Sequence, residues 1–268
     1  MTSWRARLAG GMAVLMAAAG AAAADPLRVV SLDQCADQYV LALVPRAAIA
    51  GVSHRADDAD SELRALAAGL PRVRTTTESV LAARPTVAVR YWGGDPGLVR
   101  ALERRGVRVI EVEEASTFEA VEANIRRVSA ALGQEGAGEA LVRRQRGDLE
   151  AARGAWSERT ALYLTPSGFT AGEGTLIGAI LRAAGLRNAV EGASFRATPM
   201  EALVLRPPAL VVLGFFDTLG RDRWSQGRSG VLRRMLRGRT AASLPAARLH
   251  CPGWMAAGAA AELARAAR

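Results

Sequence analysis

The imidazole and thiol groups of this 268-residue chain number four: His54, His250, Cys35 and Cys251. They are too few for a zinc finger, a cysteine-rich scaffold, a multi-haem protein or a multi-cluster ferredoxin. Cys35 and Cys251 form an even pair with two open readings, a disulfide or two reduced, partly buried thiols. Closing more than 200 residues, a bridge would add about 4–5 kcal/mol in the entropy model. His54 and Tyr91 could each occupy an open coordination position on iron, as imidazole or phenolate. For His54 the competing reading is a polar loop residue. Arg55 could pair with an acidic ligand edge or stand as an exposed cation. His250 sits in the alternation of an expected last strand and reads as structural.

Aromatic residues make up only 5% of the sequence. Yet Tyr91, Trp92, Phe169, Phe215, Phe216 and Trp254 all fall just after apolar runs, and Phe195 precedes a helical phrase. Rings at loop tips can stack on a flat conjugated ligand such as a corrin, a porphyrin or a catecholate, and most of these seven are expected to face one cleft. The competing reading is core or edge packing. Catalytic signatures are missing. There is no G-x-S-x-G elbow, and "GFTAGEG" lacks the lysine of a phosphate-binding loop. "GGDPG" at 93–97 is turn chemistry, and no spacing singles out a carboxylate pair among the 26 acids.

Loops of this kind need a scaffold. Short apolar runs at Leu27–Leu32, Ala48–Val52, Thr86–Val89, Val107–Val112, Ala161–Thr165, Ala209–Gly214 and Arg248–Cys251 read as strands alternating with amphipathic helices. That alternation predicts an α/β fold with parallel sheets, whose ligands sit beyond the carboxyl ends of the strands. The loops at Asp33–Cys35, Ser53–Arg55, Tyr91–Gly94, Ser167–Thr170, Phe215–Asp217 and Cys251–Trp254 are then the candidates, bringing in Gln34 and Thr170. Ser116 and Glu119 read as a capping box, with Gly133 as a helix stop. From Thr117 to about Ala155 only helical periodicity remains, and the helix from Ala137 to about Arg153 would span roughly 25 Å.

The ends and the charge also speak. Arg5 and Arg7, an apolar stretch from Leu8, and the exit Ala21–Ala24 make residues 1–24 a secretory signal peptide cleaved near Asp25. No cysteine follows that would carry a lipid anchor. Formal charge is +9 with 26 acids, and every basic residue is Arg. Removing Arg5 and Arg7 leaves 33 Arg against those 26 acids, or +7. The arginines alternate with acids along helices, as in "EANIRRVSAAL", so they read as solvated faces and nucleic acid is not an expected partner. A positive rim for an anionic ligand stays open.

One phrase occurs twice. "TTTESVLAARPTVAV" (75–89) aligns without a gap with "TPMEALVLRPPALVV" (198–212), each a Thr, a Glu three residues on, an apolar turn, a Pro and a β run. This pairing predicts two similar lobes, 25–135 and 158–268, joined by a connecting helix over 136–157.

With export and paired lobes in place, "RVVSLDQCADQYVLAL", "GVSHRADD", "ESVLAARPTVAVRYWGG", "LERRGVRVIEV", "GFTAGEGTLIGAILRAAGLRNAV" and "MEALVLRPPALVVLG" follow in an order that resembles the periplasmic substrate-binding proteins of ABC importers for cobalamin and iron complexes. The resemblance covers nearly all of the mature chain. It implies two rigid lobes spanned by a long helix and a ligand held between them, with little motion on binding. It implies no catalysis, no resident cofactor, a monomer, and a metal chelate as ligand: cobalamin first, then a ferric siderophore, then haem. A secreted α/β enzyme, such as a metal-dependent hydrolase or chelatase, is the alternative.

Tyr91, Phe169 and Phe195 occupy aromatic positions that contact the corrinoid in cobalamin binders, with Trp92 one place away. The full expected contact set is Gln34, Cys35, His54, Arg55, Tyr91, Trp92, Phe169, Thr170, Phe195, Phe216 and Trp254. Glu78 and Glu201 match the surface glutamates, one per lobe, that pair with arginines of the importer's membrane subunits. Read from the residues alone, each is the third position of a capping box led by Thr75 or Thr198. The cysteine common in corrinoid binders within "RAAGLRNAV" is absent, so that family disulfide does not carry over.

Overall fold

A computed structural model describes residues 26–221 and 225–267; the expected signal segment lies outside the described residues. The first half carries strands β1 (Val29–Ser31), β2 (Ile49–Ser53), β3 (Arg72–Val73), β4 (Val87–Tyr91) and β5 (Arg108–Val112). Helices α1 (Gln34–Leu43), α2 (Thr77–Ala82) and α3 (Pro96–Glu103) lie between them. The five strands form one parallel sheet in the order β3-β2-β1-β4-β5. Every residue of β1 is buried, as a parallel strand covered on both faces requires.

Two helices follow, α4 (Phe118–Ala131) and α5 (Glu135–Ala152). Gly133, at φ 67°, makes the turn between them. They cross closely, because a Cβ on Gly138 of α5 would collide with Ser129 Oγ of α4. Along α5, Leu141 and Val142 pack into the first lobe's core, while Leu149 and Ala152 pack into the second's. At about 1.5 Å per residue its 18 residues give about 27 Å, enough to reach both cores.

The second half contains β6 (Arg159–Leu164), β7 (Phe169–Ala171), β8 (Leu186–Asn188), β9 (Phe195–Ala197), β10 (Val211–Gly214) and β11 (Thr240–Leu244). Its helices are α6 (Leu176–Ala183), α7 (Met200–Leu205), α8 (Gly230–Leu236), α9 (Ala246–Leu249) and α10 (Met255–Arg265). Strands β11-β10-β6-β8 form a second parallel sheet, and β7 pairs antiparallel with β9 in a separate ribbon. The repeated phrase lands as expected: α2 leads through a Pro to β4, and α7 leads through a Pro pair to β10. Each of those strands lies beside the first strand of its own sheet, β1 or β6. The architecture is two α/β lobes built on parallel sheets.

Several local expectations change. The run Arg248–Cys251 is not a strand; α9 follows Pro245, and the last strand is the small-residue segment Thr240–Leu244. His250 therefore sits at the C-cap of α9 and not within a sheet. The cap of α2 is Thr76, whose hydroxyl accepts from the Ser79 N–H, while the Thr75 hydroxyl donates to the Leu32 carbonyl. Pro199 occupies the cap of α7, with no side-chain cap, so Thr198 plays no such part. For α4 the cap is Thr117, not Ser116.

Candidate ligand cleft

Two carboxylates, the half-buried Asp33 and the buried Asp37, organise the ends of the first-lobe strands. Asp33, just after β1, accepts from the Cys35 and Ala36 N–H groups at 3.0 and 2.9 Å, starting α1. Its other oxygen accepts from the Tyr91 N–H at 2.7 Å, tying the end of β4 to the same residue. Below it, Asp37 accepts from the Ser31 hydroxyl, from the Ser53 N–H at 2.9 Å and from the Ser53 hydroxyl at 2.6 Å. Burial raises the Asp37 carboxyl above its usual range, and these donors only partly offset that. The ends of β1, β2 and β4 are thus fixed by side chains as well as by the sheet.

Cys35 and Cys251 are bridged, with Cα atoms 5.2 Å apart, across a sequence separation of 216 residues. The bridge fastens the first turn of α1 to the segment between α9 and α10. Next to it, Trp254 meets Tyr39 edge-on at 5.4 Å, and the Tyr39 hydroxyl donates to the Pro252 carbonyl at 3.3 Å. Because α10 packs its apolar face in the second lobe's core, this cluster ties the first lobe's core to the start of a second-lobe helix.

Two cavities lie along the cleft. One, about 300 Å³, is lined by Gln34, Cys35, Arg55, Tyr91, Trp92 and His250, among others. The other, about 390 Å³, lies between the lobes, with Glu114 and Ser116 on one wall, Ile177 and Phe195 on the opposite wall, and Arg248 and Pro252 at the end. Tyr91 and His250 are the two residues that line both.

Their chemistry differs from that of free side chains. Burial pushes the Tyr91 phenol up to about 12, with Glu114 and Asp33 adding to the rise, so at neutral pH it is protonated. Burial holds the His250 imidazole below its usual value despite the Asp60 carboxylate nearby, so this ring is neutral at pH 7 and free to act as a ligand. The Asp60 oxygen lies 3.8 Å from His250 Nδ1 and 3.7 Å from an Arg55 nitrogen. Its other oxygen accepts from the Gln34 amide at 3.0 Å. Burial raises the Asp60 carboxyl, but the Gln34 hydrogen bond, the His250 ring once protonated in acid, and the Arg55 guanidinium outweigh it and hold the group below its usual range.

The remaining sequence candidates are spread out. His54 is exposed and lines neither cavity, while His250, read from the sequence as structural, takes the place at the cleft. Trp254 is 2% exposed and belongs to the first lobe's core, so it cannot stack on a ligand. Phe216 packs against the second lobe's core. Thr170 is buried in β7, its hydroxyl without a partner among the described residues. Phe169 and Phe195 are exposed on the β7–β9 ribbon, and of the two only Phe195 lines the inter-lobe cavity. Phe215 follows β10 with φ 65° and is partly buried. Glu78 and Glu201 are both exposed, in the first turns of α2 and α7, with the exposed apolar side chains Val204, Leu205 and Val231 around Glu201.

Among known folds, this chain is similar to a haem-binding protein, BhuT, solved in complex with two haems (26% identity, TM-score 0.69, covering 90% of this chain and 97% of that one). It is similar to a periplasmic haem-binding protein from Pseudomonas aeruginosa (25% identity, TM-score 0.67, covering 90% and 92%). In fold it also matches the haem-binding protein HutB of Vibrio cholerae (20% identity, TM-score 0.71, covering 89% and 98%). Among curated proteins no sequence relative was found. The sequence profile of one family extends from the first strand, through both sheets, to the histidine at the cleft, residues 29–250, and on that match the chain belongs to the periplasmic binding protein family.

Proposed function

We propose that this chain captures a flat metal tetrapyrrole, haem foremost, in the cleft between its lobes and delivers it to an inner-membrane ABC importer. The observation that carries this reading is the meeting of Tyr91 and neutral His250 at the junction of the two cavities. A phenol and an imidazole there offer axial ligands to a metal, and Trp92 and Phe195 offer stacking surface. The two relatives at 25–26% identity are haem-binding by name, which moves haem ahead of cobalamin and ferric siderophores for this chain. The domain reading stands as part of the proposal: residues 1–24 direct export to the periplasm, lobes 25–135 and 158–268 hold the ligand, and 136–157 connects them. The protein works as a monomer and performs no catalytic step.

The test is a titration of the full mature chain with hemin, cyanocobalamin and a ferric hydroxamate, read by absorbance and by tryptophan fluorescence. Hemin is expected to bind at micromolar concentration or tighter with a shifted Soret band. Tyr91→Phe is expected to weaken hemin at least about tenfold and to remove the phenolate-to-iron charge-transfer band. Since burial pushes the phenol up to about 12, a metal must displace its proton at neutral pH, so binding is expected to weaken as pH falls. Binding of cyanocobalamin alone would reverse the ligand order, and no binding of any of the three would reject the cleft reading.

Delivery rests on different residues. The exposed Glu78 and Glu201 in matching helices support docking of one glutamate per lobe on basic side chains of the membrane subunits. Replacing both with Gln should leave hemin affinity within twofold and abolish uptake in cells carrying the importer. Unimpaired uptake would reject the docking pair.

A further inference from the structure

Cys35, Cys251 and His250 bring a ligand atom each to within 4.8 Å of one another. Cys35 and His250 both line the first cavity, so this cluster lies at the wall of the cleft and not in a closed core. Two sulfurs and an imidazole are a complete three-ligand set for a borderline metal such as Zn2+ once the sulfurs are free. As long as the two sulfurs are bonded to each other the set offers only the imidazole.

We propose that reducing the Cys35–Cys251 bond creates a site for one Zn2+-type cation, held by the two thiolates and the His250 imidazole, with its fourth position open toward the cavity. The reductant required is a dithiol. One of its thiolates attacks a cystine sulfur, its second thiol resolves the mixed disulfide, and the dithiol ends as a disulfide while Cys35 and Cys251 end as thiols. Two electrons and two protons pass from the dithiol to the pair. Zn2+ then replaces both thiol protons, which go to solvent. Asp60, 3.8 Å from His250 Nδ1, stands where a metal-bound histidine usually finds a carboxylate to orient its ring. Redox state thereby decides whether this wall of the cleft is a covalent clasp or a metal site.

The experiment uses the full mature chain without haem, oxidised and dithiol-reduced, with Co2+ as a spectroscopic stand-in and Zn2+ measured in competition with a chromophoric chelator. The reduced protein is expected to bind one equivalent, with a thiolate-to-cobalt charge-transfer band, and the oxidised protein to show neither. His250→Ala should weaken Zn2+ at least about tenfold, and Asp60→Asn by a smaller factor, as outer positions around metal sites do. The proposal is overturned by equal binding in both redox states, by no thiolate band on reduction, or by a His250→Ala protein that binds as tightly as its parent. Loss of the native circular dichroism on reduction overturns it as well, since the three ligands are aligned only by the folded lobes.

Discussion

Replacing Cys35 and Cys251 together with serine is expected to lower the unfolding free energy by about 5 kcal/mol, because the bridge closes 216 residues of the unfolded chain. In a chain of this size that corresponds to a fall in Tm of roughly 10–20 °C. Chemical denaturation of the oxidised wild type against the double variant measures it, with the slope of the transition checked for two-state behaviour. The effect reaches beyond the entropy of the open chain. The two sulfurs belong to α1 and to the stretch before α10, so their bond holds a first-lobe helix to a segment whose continuation packs in the second lobe. Without it the cavity lined by Cys35 and His250 should widen, and hemin should dissociate faster. A double variant with wild-type stability would mean that the bridge fixes nothing in solution.

Trp254→Ala is the second large effect, with an expected loss of about 3–5 kcal/mol. The indole is buried, meets Tyr39 edge-on at 5.4 Å, and stands two residues after the carbonyl that receives the Tyr39 hydroxyl. Removing it opens a cavity at the join of the lobes and leaves that hydroxyl in a loosened frame. Trp254→Phe should cost less, about 1.5 kcal/mol or under, since most of the ring contact survives. Hemin affinity separates this role from a stacking role: at 20 °C, where the Ala variant is still folded, affinity should fall by no more than a few-fold. A Trp254→Ala protein that unfolds within 0.5 kcal/mol of its parent but loses hemin would put the indole in the cleft instead.

The residues that misled the sequence reading show where its signal ends. Strands such as Val29–Ser31 and Val211–Gly214 are legible because both of their faces are buried, which leaves a short run of mostly apolar residues. Thr240–Leu244 has small and polar residues at a sheet edge, while the neighbouring "RLHC" has the better apolar rhythm, so the sequence pattern points to a strand one element too late. That slip carried His250 into an expected sheet and away from the cleft. A reading of Pro245 as a helix start would have recovered it. Trp254 follows a Pro-Gly pair, which looks like a loop tip, and only the distant Tyr39 makes it core. Phe169 and Phe195 belong to a three-residue ribbon too short to announce itself. The paired phrase was the reverse case. Its helix, Pro and strand recur at one spacing, and spacing survives in a sequence even when contacts do not; only the capping threonines were misplaced, by one position in 75–76 and by a proline at 199.

Asp33 gives the cystine and the aromatic wall one mooring. Its carboxylate grips the backbone of Cys35 with one oxygen and that of Tyr91 with the other. The backbone that carries the Tyr91 ring and the backbone that carries the cross-lobe bridge share that one anchor. One acidic side chain thus sets the relative position of the cystine and the ring at the end of β4.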